Sequence, residues 1–101
     1  MAVTSPLLEQ AQPRLVFFHS TLSGHCRRVE GFLAQVLQRR QNHGTFDVVR
    51  VAEEERPDLL ERFKVQNVPT LVVVEGRSVA GRLERPRGCR EIEGFLAPWL
   101  N

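Results

Sequence analysis

Apolar residues fall along this chain in two rhythms, short continuous runs and helix-spaced stripes. Leu15, Val16, Phe17 and Phe18 are consecutive within 14–19, the pattern of a strand covered on both faces. From about Ser23 to Arg40, Cys26, Val29, Phe32, Leu33, Val36 and Leu37 recur at helical spacing, with Arg27, Arg28, Glu30, Gln35 and Arg39 turned outward. Asn42-His43-Gly44 stops this helix. Phe46–Ala52 reads as a second strand, and Glu53-Glu54-Glu55-Arg56-Pro57 as a solvated connection into a helix with Leu59, Leu60 and Phe63 inside. Val68-Pro69-Thr70 opens a buried strand over Leu71–Val74. A tight turn at Glu75-Gly76-Arg77 then leads into Ser78–Leu83, predicting a hairpin. After Pro86-Arg87-Gly88 a last helix carries Cys89, Ile92, Phe95, Leu96 and Trp99 on one side. At the other end, Ser5 as N-cap and Pro6 at the first helical position predict a short opening helix to Ala11, closed by Pro13.

The order is therefore α-β-α-β-α-β-β-α, with no repeat and no linker, in a chain of 101 residues that is one domain over 1–101. Composition changes little: 42% hydrophobic and 26% charged residues are ordinary for a globular protein. The net charge of +2 argues for neither nucleic acid nor an acidic membrane face as partner. The basic residues are nearly all arginine, Lys64 being the single lysine, and they are scattered. Their clusters, Arg27-Arg28, Arg39-Arg40 and Arg85–Arg90, read as solvated helix faces. The first residues have neither a basic n-region nor a signal-peptide core, and no stretch approaches the roughly 18 apolar residues of a membrane span. A cytoplasmic location without membrane attachment is expected, with Cys26 and Cys89 starting as thiols.

The chemistry concentrates where the first strand hands over to the long helix, at Leu22-Ser23-Gly24-His25-Cys26. A helix N-terminus there can turn N–H groups and positive dipole toward a reacting atom, and thiols in that setting gain thiolate character. Together with Asn67-Val68-Pro69-Thr70 ahead of a buried strand, this layout resembles the thioredoxin-like superfamily from Leu15 onward. The resemblance implies an α/β fold with a four-stranded mixed sheet in order 2-1-3-4, flanked by helices and lacking the extra N-terminal strand of full-length thioredoxins. Phe46–Ala52 is then an edge strand. It is either covered by the first helix or free to pair with a second copy, giving a homodimer.

The same resemblance sets expectations for the site. The family's W-C-x-x-C is replaced by L-S-x-x-C: Ser23 stands at the attacking cysteine, Cys26 at the resolving one, Leu22 at the tryptophan. Phe17 stands at the family's buried aspartate. Thiol–disulfide exchange within the motif is thereby removed, because a serine forms no mixed disulfide. Pro69 is expected to be cis, exposing the backbone of Val68 for pairing with an extended peptide alongside Leu22 and Gly24. Cys26 is read either as a small buried hydrophobe or as a lone reactive thiol favoured by His25, Arg27 and Arg28. Ser23 is read as a helix cap, or as a nucleophile with His25 or His19 as base. Cys89 opens the last helix and is read first as a separate core thiol, with a redox pairing to Cys26 as the alternative. His43 reads as a helix-end residue, and no metal or cofactor is expected, since His19, His25 and Cys26 match no structural zinc spacing. Two functions follow. One is a peptide- or protein-binding module using the cis-proline groove. The other is an oxidoreductase or transferase acting through Cys26, with a low-molecular-weight thiol as co-substrate.

Overall fold

The computed structural model describes residues 12–39 and 44–100. The expected opening helix and His43 lie outside the described residues. Strand β1 (Arg14–His19) enters the core at once, its Leu15 to Phe18 all 5% exposed or less. Helix α1 (Gly24–Gln38) follows, then β2 (Asp47–Ala52), the short helix α2 (Pro57–Arg62), β3 (Thr70–Glu75), β4 (Ser78–Glu84) and helix α3 (Cys89–Leu96). The sheet runs β2-β1-β3-β4, the expected order. β2 is parallel to β1, from Arg14 opposite Asp47 to His19 opposite Ala52, and β3 is antiparallel to it, with Phe18 opposite Thr70. Element ends depart from the sequence reading by a residue or two, except that the last helix stops at Leu96 and leaves Trp99 in the turns beyond it.

Side-chain alternation along β1 supplies two cores. Leu15 and Phe17 face α1 and α3, packing with Val29, Leu33, Val36, Ile92 and Leu96. Val16 and Phe18 face the other side, with Val51, Leu60, Val65 and Val72. α1, which links β1 to β2, and α3, which follows β4, pack in the same core on one face, while the short α2 covers part of the other. In the described residues β2 and β4 form the two edges of the sheet. Val48 on β2 is 37% exposed.

The β3–β4 turn consists of Gly76 and Arg77, with Gly76 at φ 64° and Arg77 at negative φ. Positive φ at the first central residue alone is the pattern of a type II′ turn, which matches the twist of the flanking strands. A Cβ at Gly76 meets no neighbour, so its constraint is the backbone alone. Gly76→Ala should therefore destabilise the domain by about 1–2 kcal/mol, the cost of left-handed backbone in an L-residue. Urea unfolding followed by circular dichroism will read this as a lower midpoint at unchanged slope.

Candidate functional site

The carboxyl end of β1 leads into a four-residue loop, Ser20 to Ser23, closed by hydrogen bonds from its own side chains. Ser23 is the N-cap of α1: its backbone is extended (φ −103°, ψ 122°) and its Oγ accepts the Cys26 N–H at 3.2 Å. The cap occupies Ser23, as the first of its two expected roles requires. His25 is turned elsewhere, with Nε2 3.1 Å from the Pro86 carbonyl oxygen. A carbonyl only accepts, so Nε2 carries the proton in this contact. His19 stacks on Phe17, ring centroids 5.1 Å apart. Neither imidazole is hydrogen-bonded to Ser23, so the structure does not assemble the serine–histidine pair that nucleophilic chemistry would need.

Cys26 lies beneath the loop at 2% exposure, its Sγ accepting the Ser20 N–H at 3.3 Å. Phe17, at the position of the family's buried acid, is 1% exposed and packed among apolar side chains. A carboxylate there would be stripped of water, whereas a buried ring contributes about 1.5–3 kcal/mol of stability. The core below the loop is thus built for packing rather than for moving a proton. Cys89 is set apart from Cys26. Its Sγ lies 3.1 Å from Gln35 Oε1 and 3.7 Å from the Phe32 carbonyl oxygen, against the third and fourth turns of α1. Those residues are six and nine positions past Cys26, roughly 9 and 13 Å along the axis at 1.5 Å per residue. Both thiols are free. The alternative Cys26–Cys89 pair is not brought together, because Cys89 packs against α1 well below its N-terminus.

The opposite wall of the site is the turn before β3. The Val68–Pro69 peptide bond is cis, Pro69 is fully buried and Val68 is half-buried. The turn is closed by Thr70 Oγ1 donating to the Asn67 carbonyl at 2.6 Å. Arg85, at φ 47°, donates its N–H to the Pro69 carbonyl at 2.7 Å, and His25 reaches the adjacent Pro86. These two contacts tie the start of α1, the Pro69 turn and the segment after β4 into one surface. A cleft of about 690 Å³ opens beside it, lined by His25, Glu84, Arg85, Arg87 and Glu91. Leu22 stands over this surface at 87% exposure.

Glu54 is the residue that sequence reasoning missed. Read as part of a solvated acidic loop, it instead organises the site: its carboxylate accepts the Ser20 hydroxyl, and its Oε1 accepts the Thr21 N–H at 3.3 Å. Ser20 Oγ in turn accepts the Leu22 N–H at 3.2 Å. These bonds, the Ser20 hydroxyl first, hold the Glu54 carboxyl below its ordinary pKa, and the charge of nearby His19 adds to them. A signal existed. In a parallel β1–β2 pair the residues just after Ala52 must lie beside those just after His19. Among the described residues no group of three or more His, Cys, Asp or Glu side chains is placed to hold a metal ion.

A parallel–antiparallel sheet in this order, a helix starting at S-x-x-C and a cis proline facing it define a domain of thioredoxin architecture. Comparison with known proteins agrees. The thioredoxin family profile matches residues 3–98, and the chain belongs to that family. It is 30% identical over 70 residues to thioredoxin 1 of a Nostoc species, covering 69% of this chain and 64% of that one. With the chloroplastic thioredoxin M4 of Arabidopsis thaliana it shares 28% identity over 94 residues, 89% of this chain. The chain spans 64% and 48% of the length of these two curated relatives. Among solved structures, the reduced desulfothioredoxin of Desulfovibrio vulgaris Hildenborough superposes with a TM-score of 0.74 at 29% identity, covering 89% of this chain and 84% of that one. The germline-specific thioredoxin Deadhead of Drosophila melanogaster does so with a TM-score of 0.77 at 17% identity, covering 94% and 88%.

Two outcomes are expected. Ser23→Ala removes the cap of α1 and should cost about 1 kcal/mol in urea unfolding. Glu54→Gln should lower stability near neutral pH, and the difference from wild type should shrink in acid. A depressed folded-state pKa gives stability that is present above the ordinary glutamate value and lost as pH falls through the folded one. Denaturant midpoints measured from neutral pH down to mild acid check the sign. A gap that widens in acid would contradict it.

Proposed function

We propose that this thioredoxin-family domain binds an extended peptide segment of a partner protein across Leu22, Gly24, Val68 and Pro69, without a dithiol redox cycle. The observation that carries this reading is a contrast in exposure: Leu22 is 87% exposed on the loop while Cys26 beneath it is 2% exposed. A large apolar side chain held out in water by a hydrogen-bonded loop offers such a segment an apolar contact. Val68 precedes β3, and among the described residues no hydrogen bond reaches its N–H or C=O. Those groups are therefore available for strand-like pairing with a peptide main chain. Ser23 in place of a thiol, and Phe17 in place of an acid, leave recognition intact and remove the covalent cycle. In a cytoplasmic setting both thiols would remain reduced.

One contact favours a second reading. The Ser20 N–H directed at Cys26 Sγ would also stabilise a thiolate, as a one-thiol oxidoreductase or transferase using a low-molecular-weight thiol requires. Accessibility separates the two. In a Cys89→Ala background, Cys26 should resist iodoacetamide in the native protein and react on unfolding. Rapid native labelling would favour the one-thiol enzyme.

The wild-type chain should not reduce insulin disulfides above the dithiothreitol background. Ser23→Cys should restore a C-x-x-C pair that closes to a disulfide under mild oxidation, read by loss of two titratable thiols. Amide shift mapping with peptides selected from a random displayed library should move Leu22, Gly24, Val68 and Arg85. Shifts confined to other surfaces would refute the groove.

A further inference from the structure

A second cleft of about 690 Å³ lies between the end of α2 and the β3–β4 hairpin. It is at the far end of the sheet from Cys26, where Val74 pairs with Arg14 rather than where Thr70 pairs with Phe18. Four cationic side chains line it: Arg62 and Lys64 from the end of α2 and the turn after it, Arg77 from the hairpin turn, and Arg82 from β4. No acidic residue lines it. Glu75, next to Val74, lies on the opposite face of β3 and accepts the Trp99 indole N–H at 2.7 Å, and Glu61, next to Arg62, is not part of the lining. None of the four cations makes an ion pair with a described residue.

Arg82 is held rigidly. Its guanidinium donates to the Phe63 carbonyl at 2.6 Å and the Lys64 carbonyl at 3.2 Å, satisfying main-chain oxygens left over where α2 ends. Neutral acceptors leave its positive charge uncancelled. The floor between the cations is apolar, made by Phe63, Val74 and Val79, and Val79 is 47% exposed. An exposed valine amid four uncompensated cations is poor design for a free surface, and it complements one kind of ligand well.

We propose that this cleft docks an acidic peptide segment of a partner protein carrying an aliphatic or aromatic residue between its carboxylates. The apolar residue would cover Val79, and the carboxylates would meet Arg62, Lys64 and Arg77, with Arg82 as the fixed anchor. Nucleic acid fits less well. The whole chain carries only +2, and the one ring at the cleft, Phe63, is packed against Phe18 at 5.5 Å rather than presented for base stacking. The site is separate from the Cys26 loop and stands whatever that loop does.

The test is fluorescence anisotropy of the full chain with a fluorescein-labelled peptide of Asp and Glu around a central Leu. The same peptide with Lys for every acid, and labelled oligothymidylate, serve as the other probes. The acidic peptide should bind, more weakly as salt rises, and the other two should not compete for it. The triple variant Arg62→Ala, Lys64→Ala, Arg77→Ala should weaken binding about tenfold or more, as the loss of three exposed ion pairs implies. Val79→Ser should weaken it too, with all variants unfolding near the wild-type midpoint. Arg82 is left intact because it also supports the end of α2. Absence of binding by wild type, equal binding by the triple variant, or tighter binding of oligothymidylate would each overturn the proposal.

Discussion

Everything in this domain depends on β1 being buried on both faces. Four consecutive residues, Leu15 to Phe18, are withdrawn from water. Two of them build the core under α1 and α3, and two build the core under α2. A strand in that position must be central, so β2 and β3 are obliged to flank it. Its carboxyl end then delivers the Ser20–Ser23 loop to one end of the sheet, facing the turn that holds Pro69. The site is a consequence of where the core strand stops.

Around that loop the polar contacts are few and specific. Ser23 caps the helix, Ser20 holds Leu22, and Glu54 holds Ser20 and Thr21. Each removes an unpaired main-chain or hydroxyl group at a turn that packing alone would leave loose. What remains outward is apolar, Leu22, and what is reactive is inward, Cys26. The departures from the family pattern are at positions 23 and 17, where dithiol members carry the attacking sulfur and a buried acid. Here the same scaffold carries a hydroxyl that caps and a phenyl ring that packs.

Much of this was legible in the chain itself. The consecutive apolar run of β1, the helical stripe from Cys26 to Leu37, and Val68-Pro69-Thr70 ahead of β3 depend on near neighbours, and near neighbours are what periodicity records. The cap role of Ser23 was legible for the same reason: its partner is the N–H three residues on. Glu54 was not. Its partners lie over 30 residues away and come within reach only through the parallel pairing of β1 and β2. The separation of Cys89 from Cys26 was not legible either. Sharing a face with Cys26 is a property of helix stripes, but the level at which α3 crosses α1 is set by packing.

The sequence by itself determined which residues are apolar at which period, and hence the elements, the central strand, the thioredoxin family and the absence of a thiol at position 23. Those are local properties, written in spacing and side-chain type. Tertiary structure alone decided that Glu54 closes the Ser20–Ser23 loop, that the two cysteines stay apart, and that Arg62, Lys64, Arg77 and Arg82 converge on one cleft. Along the chain those cations look scattered, because they come from a helix end, a turn and a strand. Only the register of β3 with β4, and the seating of α2 on the sheet, gathers their charge in one place.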